Sequence, residues 1–172
     1  MNIHKLLSSK ERVKILSYIL YKNTSVTVIK TAEELHLSKA LISQFFSLLK
    51  KEGIISNKNS IKNNLQVKSL KILLNLNNIN EKIFNKRFIH SAGIYGSSVK
   101  GLNTEESDVD IWILVSDAEE EELAKLTHEL GGIKPLYLTK EKLKALKVKD
   151  SVFYYSLVFG SITIYGDALE TI

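Results

Sequence analysis

The sequence contains no cysteine, which excludes disulfides and thiolate metal sites. It has a single proline. No apolar run approaches the roughly 18 residues needed to cross a bilayer. The N-terminus, M-N-I-H-K-L-L-S-S-K-E-R, lacks the apolar core and small-residue cleavage site of a signal peptide, so the expected location is cytoplasmic and no membrane partner is expected. Neither a G-x-S-x-G nucleophile turn nor a Walker-type glycine loop is present. The four histidines, His4, His36, His90 and His128, match no metal-ligand spacing; His90 reads as a core or sheet histidine. What remains is a chain of 172 residues, 44% hydrophobic and 25% charged. Those are the proportions of a soluble globular protein with a real core, in one ordinary domain or two small ones.

The net charge of +5 hides a division. Residues 1–87 carry 16 Lys+Arg and 5 Asp+Glu, a net of +11, whereas residues 88–172 carry 8 and 14, a net of −6. Halves of opposite sign point to two modules with different partners. The basic half suits a polyanion such as nucleic acid. The acidic half, with clustered carboxylates, suits metal ions.

In the basic half, Ser8 or Ser9 caps a helix whose apolar positions Val13, Ile15, Leu16, Ile19 and Leu20 recur at helical spacing. The β-prone S-V-T-V follows, then a Thr31/Glu34 capping box before a short helix ending near His36. Ser38 caps the next helix, K-A-L-I-S-Q-F-F-S-L-L-K-K-E, which Gly53 closes. Ile54–Ser56 and Leu65–Val67 read as the two strands of a hairpin around the polar turn K-N-S-I-K-N-N. Helix, short helix, helix and hairpin, over residues 8–68, resemble a winged helix-turn-helix domain. The resemblance makes Lys39–Lys51 the recognition helix. Ile42, Phe46 and Leu49 would then pack inward while Lys39, Ala40, Ser43, Gln44 and Ser47 face out. Ser and Gln can read base edges, and Lys39, Lys50, Lys58 and Lys62 can meet phosphates. The apolar residues from Leu70 to Phe84 suggest one or two connecting helices, with no Gly/Ser linker.

In the acidic half, Phe88–Tyr95 reads as a buried strand ended by Gly96, where the backbone must turn tightly. Ser97 and Ser98 open a short helix that Gly101 closes. A polar loop leads to Ser107, Asp108, Val109 and Asp110, and I-W-I-L-V is a second buried strand with Trp112 in the core. Backbone N–H groups at such a turn bind phosphate, and a Gly-Ser pair lets a triphosphate approach closely. Asp108 and Asp110, two apart, share one face of a strand. Their mutual repulsion is tolerated when a divalent cation lies between them.

Ten residues separate Gly96-Ser97 from Asp108-x-Asp110. This resembles the G-S-x10-D-x-D motif of the nucleotidyltransferase superfamily related to DNA polymerase β, in particular its minimal branch. The resemblance spans residues 88–166, including the late G-S-I-T-I-Y-G, which is similar to the family's final strand. It implies that Gly96 and Ser97 contact a triphosphate, that Asp108 and Asp110 are catalytic and hold Mg2+ (or Mn2+), and that Lys100 adds a phosphate contact. The chain departs from the family on the strand after the acidic helix. Active members carry a third carboxylate there, whereas Ile133–Leu138 has no acid and brings Lys134 nearby. Glu129, Glu141, Asp150 and Asp167 do not sit at the matching place.

Elsewhere, Ser116 is expected to cap the acidic helix, whose first-turn acids suit the helix dipole, and Gly131-Gly132 to end it. K-P-L-Y-L reads as a third strand, Thr139 to about Lys147 as a helix, F-Y-Y-S-L-V-F as an amphipathic segment and Gly160-Ser161 as a turn before the strand I-T-I-Y. The expected fold class is α+β: a winged helix domain at 1–68, a helical connector at 69–87, and at 88–172 a nucleotidyltransferase domain with a mixed sheet flanked by helices. The expected function is Mg2+-dependent transfer of NMP from an NTP to a hydroxyl of a protein or nucleic-acid acceptor. The alternative is a DNA-binding regulator that binds nucleotide without turnover. Expected partners are nucleotide, DNA through residues 1–68, a protein acceptor such as a toxin partner (the minimal branch includes antitoxins), and a second copy in a homodimer.

Overall fold

The structure, a computed structural model, describes residues 1–131, 133 and 135–171. Two of the readings above, the part of Gly132 in closing the acidic helix and the charge of Lys134 beside the third strand, lie outside those residues. The chain divides into two compact units. The first comprises Met1–Leu74 with Asn103–Glu106, the second Asn75–Leu102 with Ser107–Ile172. The segment 69–87 is thus shared between them.

The first unit is helical. After the short α1 (Ile3–Leu6), Ser9 caps α2 (Lys10–Ile19), its hydroxyl accepting from the Arg12 N–H at 3.3 Å. The S-V-T-V stretch is not a strand. Val26 is buried in the core, Thr27 caps α3 (Val28–Leu35), and Thr31 lies inside that helix, fully buried, in place of the expected cap. Thr27 wins because its extended backbone (φ −114°, ψ 151°) lets its hydroxyl accept from the Lys30 N–H. His36 ends α3 in the left-handed conformation (φ 54°), and Ser38 caps α4 (Lys39–Lys51) as expected. Ile42, Phe46 and Leu49 point inward, joined by Phe45.

The expected hairpin is reduced to one bridge, Ile55↔Ile61. Its second strand, Leu65–Val67, is instead the start of α5 (Leu65–Asn77). Asn64 decides this: its Oδ1 accepts from the Val67 N–H at 3.0 Å while its Nδ2 donates to the Gly53 carbonyl at 2.9 Å. Asn103–Glu106 is held by the Glu105 N–H to the Tyr21 carbonyl, by an ion pair of Glu105 with Lys22, and by Lys71. The Lys71 ammonium is buried, donates to the Asn103 carbonyl at 2.6 Å, and has its pKa pushed down by that burial.

The second unit is α+β. A 3-10 turn (Glu81–Phe84) precedes β1 (Ile89–Tyr95), α6 (Ser97–Lys100), β2 (Asp110–Val115), α7 (Glu120–Glu129), β3 (Leu136–Leu138), α8 (Lys140–Lys149), α9 (Ser151–Gly160) and β4 (Ile162–Gly166), and a last 3-10 turn (Leu169–Thr171) follows. The sheet order is β3-β2-β1-β4, with β1 antiparallel to β2 and β4 and β2 parallel to β3. Strand alternation splits the core into two layers. Ala92, Ile94, Ile111, Ile113 and Val115 pack with Leu126 and Leu130 on one face. Trp112, Leu114 and Leu138 pack with Leu143 of α8 and Leu157 and Val158 of α9 on the other.

Four local expectations change. The cap of α7 is Glu119, in a reciprocal box with Glu122, because the Ser116 hydroxyl is bonded to His90 Nε2 at 2.6 Å and Asp117 turns the chain at φ 50°. His90 lies on β1 but is exposed, at the bulge between Ile89 and Ser91. β3 starts only at Leu136, after Pro135, which has no N–H for the ladder. F-Y-Y-S-L-V-F lies within the helix α9, capped by Asp150, and is apolar on all sides rather than amphipathic.

Trp112 is wholly buried opposite Gly93. A Cβ at Gly93 would lie 2.5 Å from the indole Cζ2 and 2.7 Å from the Ile162 carbonyl oxygen. Gly93→Ala is therefore expected to destabilise the second unit by about 1–3 kcal/mol. Chemical denaturation followed by fluorescence of the chain's only tryptophan measures it; an unchanged midpoint would show that the indole can move aside.

Candidate active site

Tyr95, at the end of β1, is paired with Asp110, at the start of β2. Pairing across an antiparallel ladder puts both side chains on the same face, shared with Trp112 and Leu114. Val109 packs on the opposite layer, Asp110 belongs to the face covered by α8 and α9, and the charge of Asp108 is felt at Asp110. Asp108 lies just before the strand and is exposed; Asp110 is half-buried.

At Gly96 the chain turns with φ 72° and ψ −138°, a region that side chains scarcely tolerate. A Cβ there would run into Asp110 Oδ2 and lie 3.2 Å from its Cγ. The backbone of the turn thus rests directly on the carboxylate. Ser97 is half-buried at the first position of α6, and no side chain caps that helix start. Ser98 is fully buried. Its carbonyl accepts from Asn75 Nδ2 at 2.9 Å, and its hydroxyl has no partner among the described residues. Lys100 is exposed in the last turn of α6, before Gly101 (φ 62°).

Burial, and then the charge of Asp108, raise the pKa of Asp110. Tyr95 is pushed up by burial and then by Asp110. It also meets Phe153 of α9 edge-on at 6.1 Å. The pair Asp108/Asp110 is therefore a like-charge pair with no cation among the described residues to offset it, and no group of three or more His, Asp or Glu side chains converges there to complete a metal shell. A cavity of about 560 Å³ lies elsewhere. Its lining includes Arg87, Phe88, Ser116, Asp117 and Glu122, at the opposite end of the β1–β2 pair from Gly96 and Asp110.

Sequence spacing found Gly96, Asp108 and Asp110, and the fold brings them together. It did not find Tyr95, which read only as the end of a strand, nor Asn75, which lies in the stretch read as connecting helices. An Asn flanked by leucines in I-L-L-N-L-N-N was the available sign of a buried polar anchor. The proposed DNA contacts belong to the first unit. Lys39, Ser43, Gln44 and Ser47 are exposed along α4, with the Ser47 hydroxyl donating to the Ser43 carbonyl, and Lys58 is exposed on the turn before Ile61.

Two tests address this geometry. Gly96→Ala is expected to cost about 1–3 kcal/mol and to displace Asp110; a crystal structure of the variant with Asp110 unmoved would contradict the contact. Asp110→Asn is expected to stabilise the metal-free protein slightly, by roughly 0.5 kcal/mol. Because folding raises the Asp110 pKa, ionisation costs stability above that pKa and nothing below the unfolded value near 3.9. The gain should be present at pH 7 and vanish below about pH 3 in thermal melts with chelator; a gain confined to acid pH would reverse the sign.

Residues 77–168 match the family described as Polymerase beta, Nucleotidyltransferase. No curated protein matches the chain. With more than half the sequence matched and the mixed sheet carrying the Gly-Ser turn against the aspartates, the chain belongs to the polymerase β nucleotidyltransferase family.

Proposed function

We propose that this protein is a Mg2+-dependent nucleotidyltransferase that passes a nucleoside monophosphate from an NTP to an acceptor hydroxyl. The observation that carries the proposal is the contact of the Gly96 turn with the Asp110 carboxylate, beside Asp108. A phosphate chain seated on the backbone of Gly96 and Ser97 would lie against two hard oxygen donors. Lys100, one helical turn on, is placed to extend toward that chain.

The donor set fits a small divalent cation. The cost of ionising Asp110, raised by burial and by the charge of Asp108, would be relieved by a dication, and Mg2+ or Mn2+ accepts one or two carboxylates plus phosphate oxygens. When bound, the ion supplies charge neutralisation for the triphosphate and the departing pyrophosphate. Asp108 and Asp110 would hold it, and Gly96 and Ser97 would orient the α-phosphate for in-line attack. The acceptor oxygen bonds to the α-phosphorus, the bond to the α–β bridging oxygen breaks, pyrophosphate leaves, and the hydroxyl proton passes to solvent or to a base on the acceptor. No carboxylate of the described β3, Leu136–Leu138, is available to take it.

The first unit is read as a winged-helix module that positions the transferase on DNA. Support comes from the net charge of residues 1–87 and the exposed polar face of α4. The reduced hairpin leaves α4 and the Lys58 turn as the contact surfaces. The missing third carboxylate favours a second reading, in which the domain binds nucleotide and modulates DNA affinity without turnover. Adenylylation of a protein partner, as in antitoxin systems, and a homodimer fall within the first reading.

The test is transfer from each labelled NTP, with Mg2+ and with nucleic-acid and protein acceptors. Asp108→Asn or Asp110→Asn is expected to lower the rate at least about 1,000-fold, and chelator to abolish it. Nucleotide binding by calorimetry with no transfer to any acceptor would install the second reading. For DNA, anisotropy with a duplex probe is expected to show the slope of log K against log salt falling by about 1 for each of Lys39→Ala and Lys58→Ala; unchanged slopes would remove α4 and the turn from the interface.

A further inference from the structure

Residues 88–172 are acidic overall, yet α8 holds five of their eight Lys+Arg residues, against one acid, Glu141. Lys140, Lys144 and Lys147 recur at i, i+4 and i+7, so they lie along one helix face over roughly 10 Å. All three line a single cavity of about 220 Å³ with Tyr154 of α9, over the apolar Leu143 and Leu169. None of the three lysines forms a salt bridge among the described residues. The acids nearby are Glu170, on the cavity wall, Glu141 on α8, and Asp150, whose carboxylate is engaged by the Phe153 N–H. The cavity is smaller than the roughly 300–1,000 Å³ that encloses a free ligand of drug size. It suits one segment of a longer polyanion.

Aromatic rings continue from it. The Lys147 ammonium lies 5.6 Å above the Tyr154 ring, Tyr154 meets Tyr155 edge-on at 5.2 Å, and Tyr155 is parallel to Phe159 at 6.0 Å. Tyr155 and Phe159 are 48% and 68% exposed. A cationic groove beside exposed ring faces is how proteins hold single strands without reading sequence: ammonium groups follow the phosphates and rings stack on bases. Duplexes hide those base faces. The face is also well sited, because α9 touches Tyr95 through Phe153 and both helices cover the sheet layer that carries Asp110.

We propose that α8 and α9 bind the single-stranded nucleic acid whose hydroxyl receives the nucleotide, with phosphates on Lys140, Lys144 and Lys147 and bases on Tyr154, Tyr155 and Phe159. This rests on the transferase reading above and specifies its acceptor.

The test is fluorescence anisotropy of the full chain with single-stranded RNA and DNA probes of about 12 nucleotides, over a range of salt. Lys140→Glu/Lys144→Glu/Lys147→Glu is expected to weaken binding more than about 100-fold and to cut the salt slope by about 2, the corresponding arginine variant to retain both, and Tyr155→Ala/Phe159→Ala to cost about tenfold. Asp108→Asn should bind as the wild type does, which separates acceptor binding from transfer. Wild-type binding without transfer would sink the reaction but support this surface. Transfer to a protein without single-strand binding would do the reverse. The proposal is overturned if the glutamate variant binds within about twofold of wild type, or if binding follows Lys39 and Lys58 instead. It also falls if Tyr155→Ala/Phe159→Ala changes only the sedimentation of the chain, which would make the face a protein contact.

Discussion

The backbone of Gly96 lies against the carboxylate of Asp110, and most of what is distinctive about the second unit follows from that contact. It requires β1 and β2 to be antiparallel and in register at Tyr95 and Asp110, because a slip of one residue would turn the carboxylate to the other layer. It requires a residue without a Cβ, held at positive φ. It leaves a backbone turn and two oxygen-rich side chains sharing one small volume. A core alone would not choose such an arrangement. The aspartates repel, and Asp110 is partly withdrawn from water that would otherwise screen it. Under the proposed function, a cation and a phosphate chain would offset that cost.

Charge is distributed on the same logic at larger scale. The acids that cluster around α7 serve its own dipole and its capping box. The two aspartates are set apart from them by the length of a strand. The basic charge of residues 88–172 is concentrated on α8. That helix covers the same sheet layer as Asp110, so the layer carries a carboxylate at one end and lysines along its flank. The aromatic exterior of α9, excessive for a helix that had only to cover Trp112 and Leu114, accompanies the second.

Much of the site was legible from spacing alone. Gly-Ser, ten residues, and Asp-x-Asp between two apolar runs reported the turn, both strands and the carboxylates, because strand period and glycine conformation are local properties. Serine and threonine caps were legible where one residue had no rival, as at Ser38. They failed where two candidates competed. Thr27 displaced Thr31, and Glu119 displaced Ser116, because burial of Thr31 and the bond of Ser116 to His90 are tertiary facts. Leu65–Val67 read as a strand but begins α5, since Asn64 caps it from a position fixed by Gly53, eleven residues earlier. The exposed rings of α9 could not be told from core residues by sequence, because a helix apolar all round gives no sign of which side is left uncovered.

The sequence by itself determined the presence of a sheet-based domain of this family, the identity of the paired carboxylates and the glycine that must accompany them. These depend on side-chain period and on φ, which each residue carries with it. Only the tertiary structure decided which atoms meet. It set the Gly96 backbone on Asp110, Asn75 beneath Ser98, and the lysines of α8 beside the rings of α9. Such contacts join segments far apart in the chain, and the free energy that selects them comes from burying whole faces together rather than from any local preference.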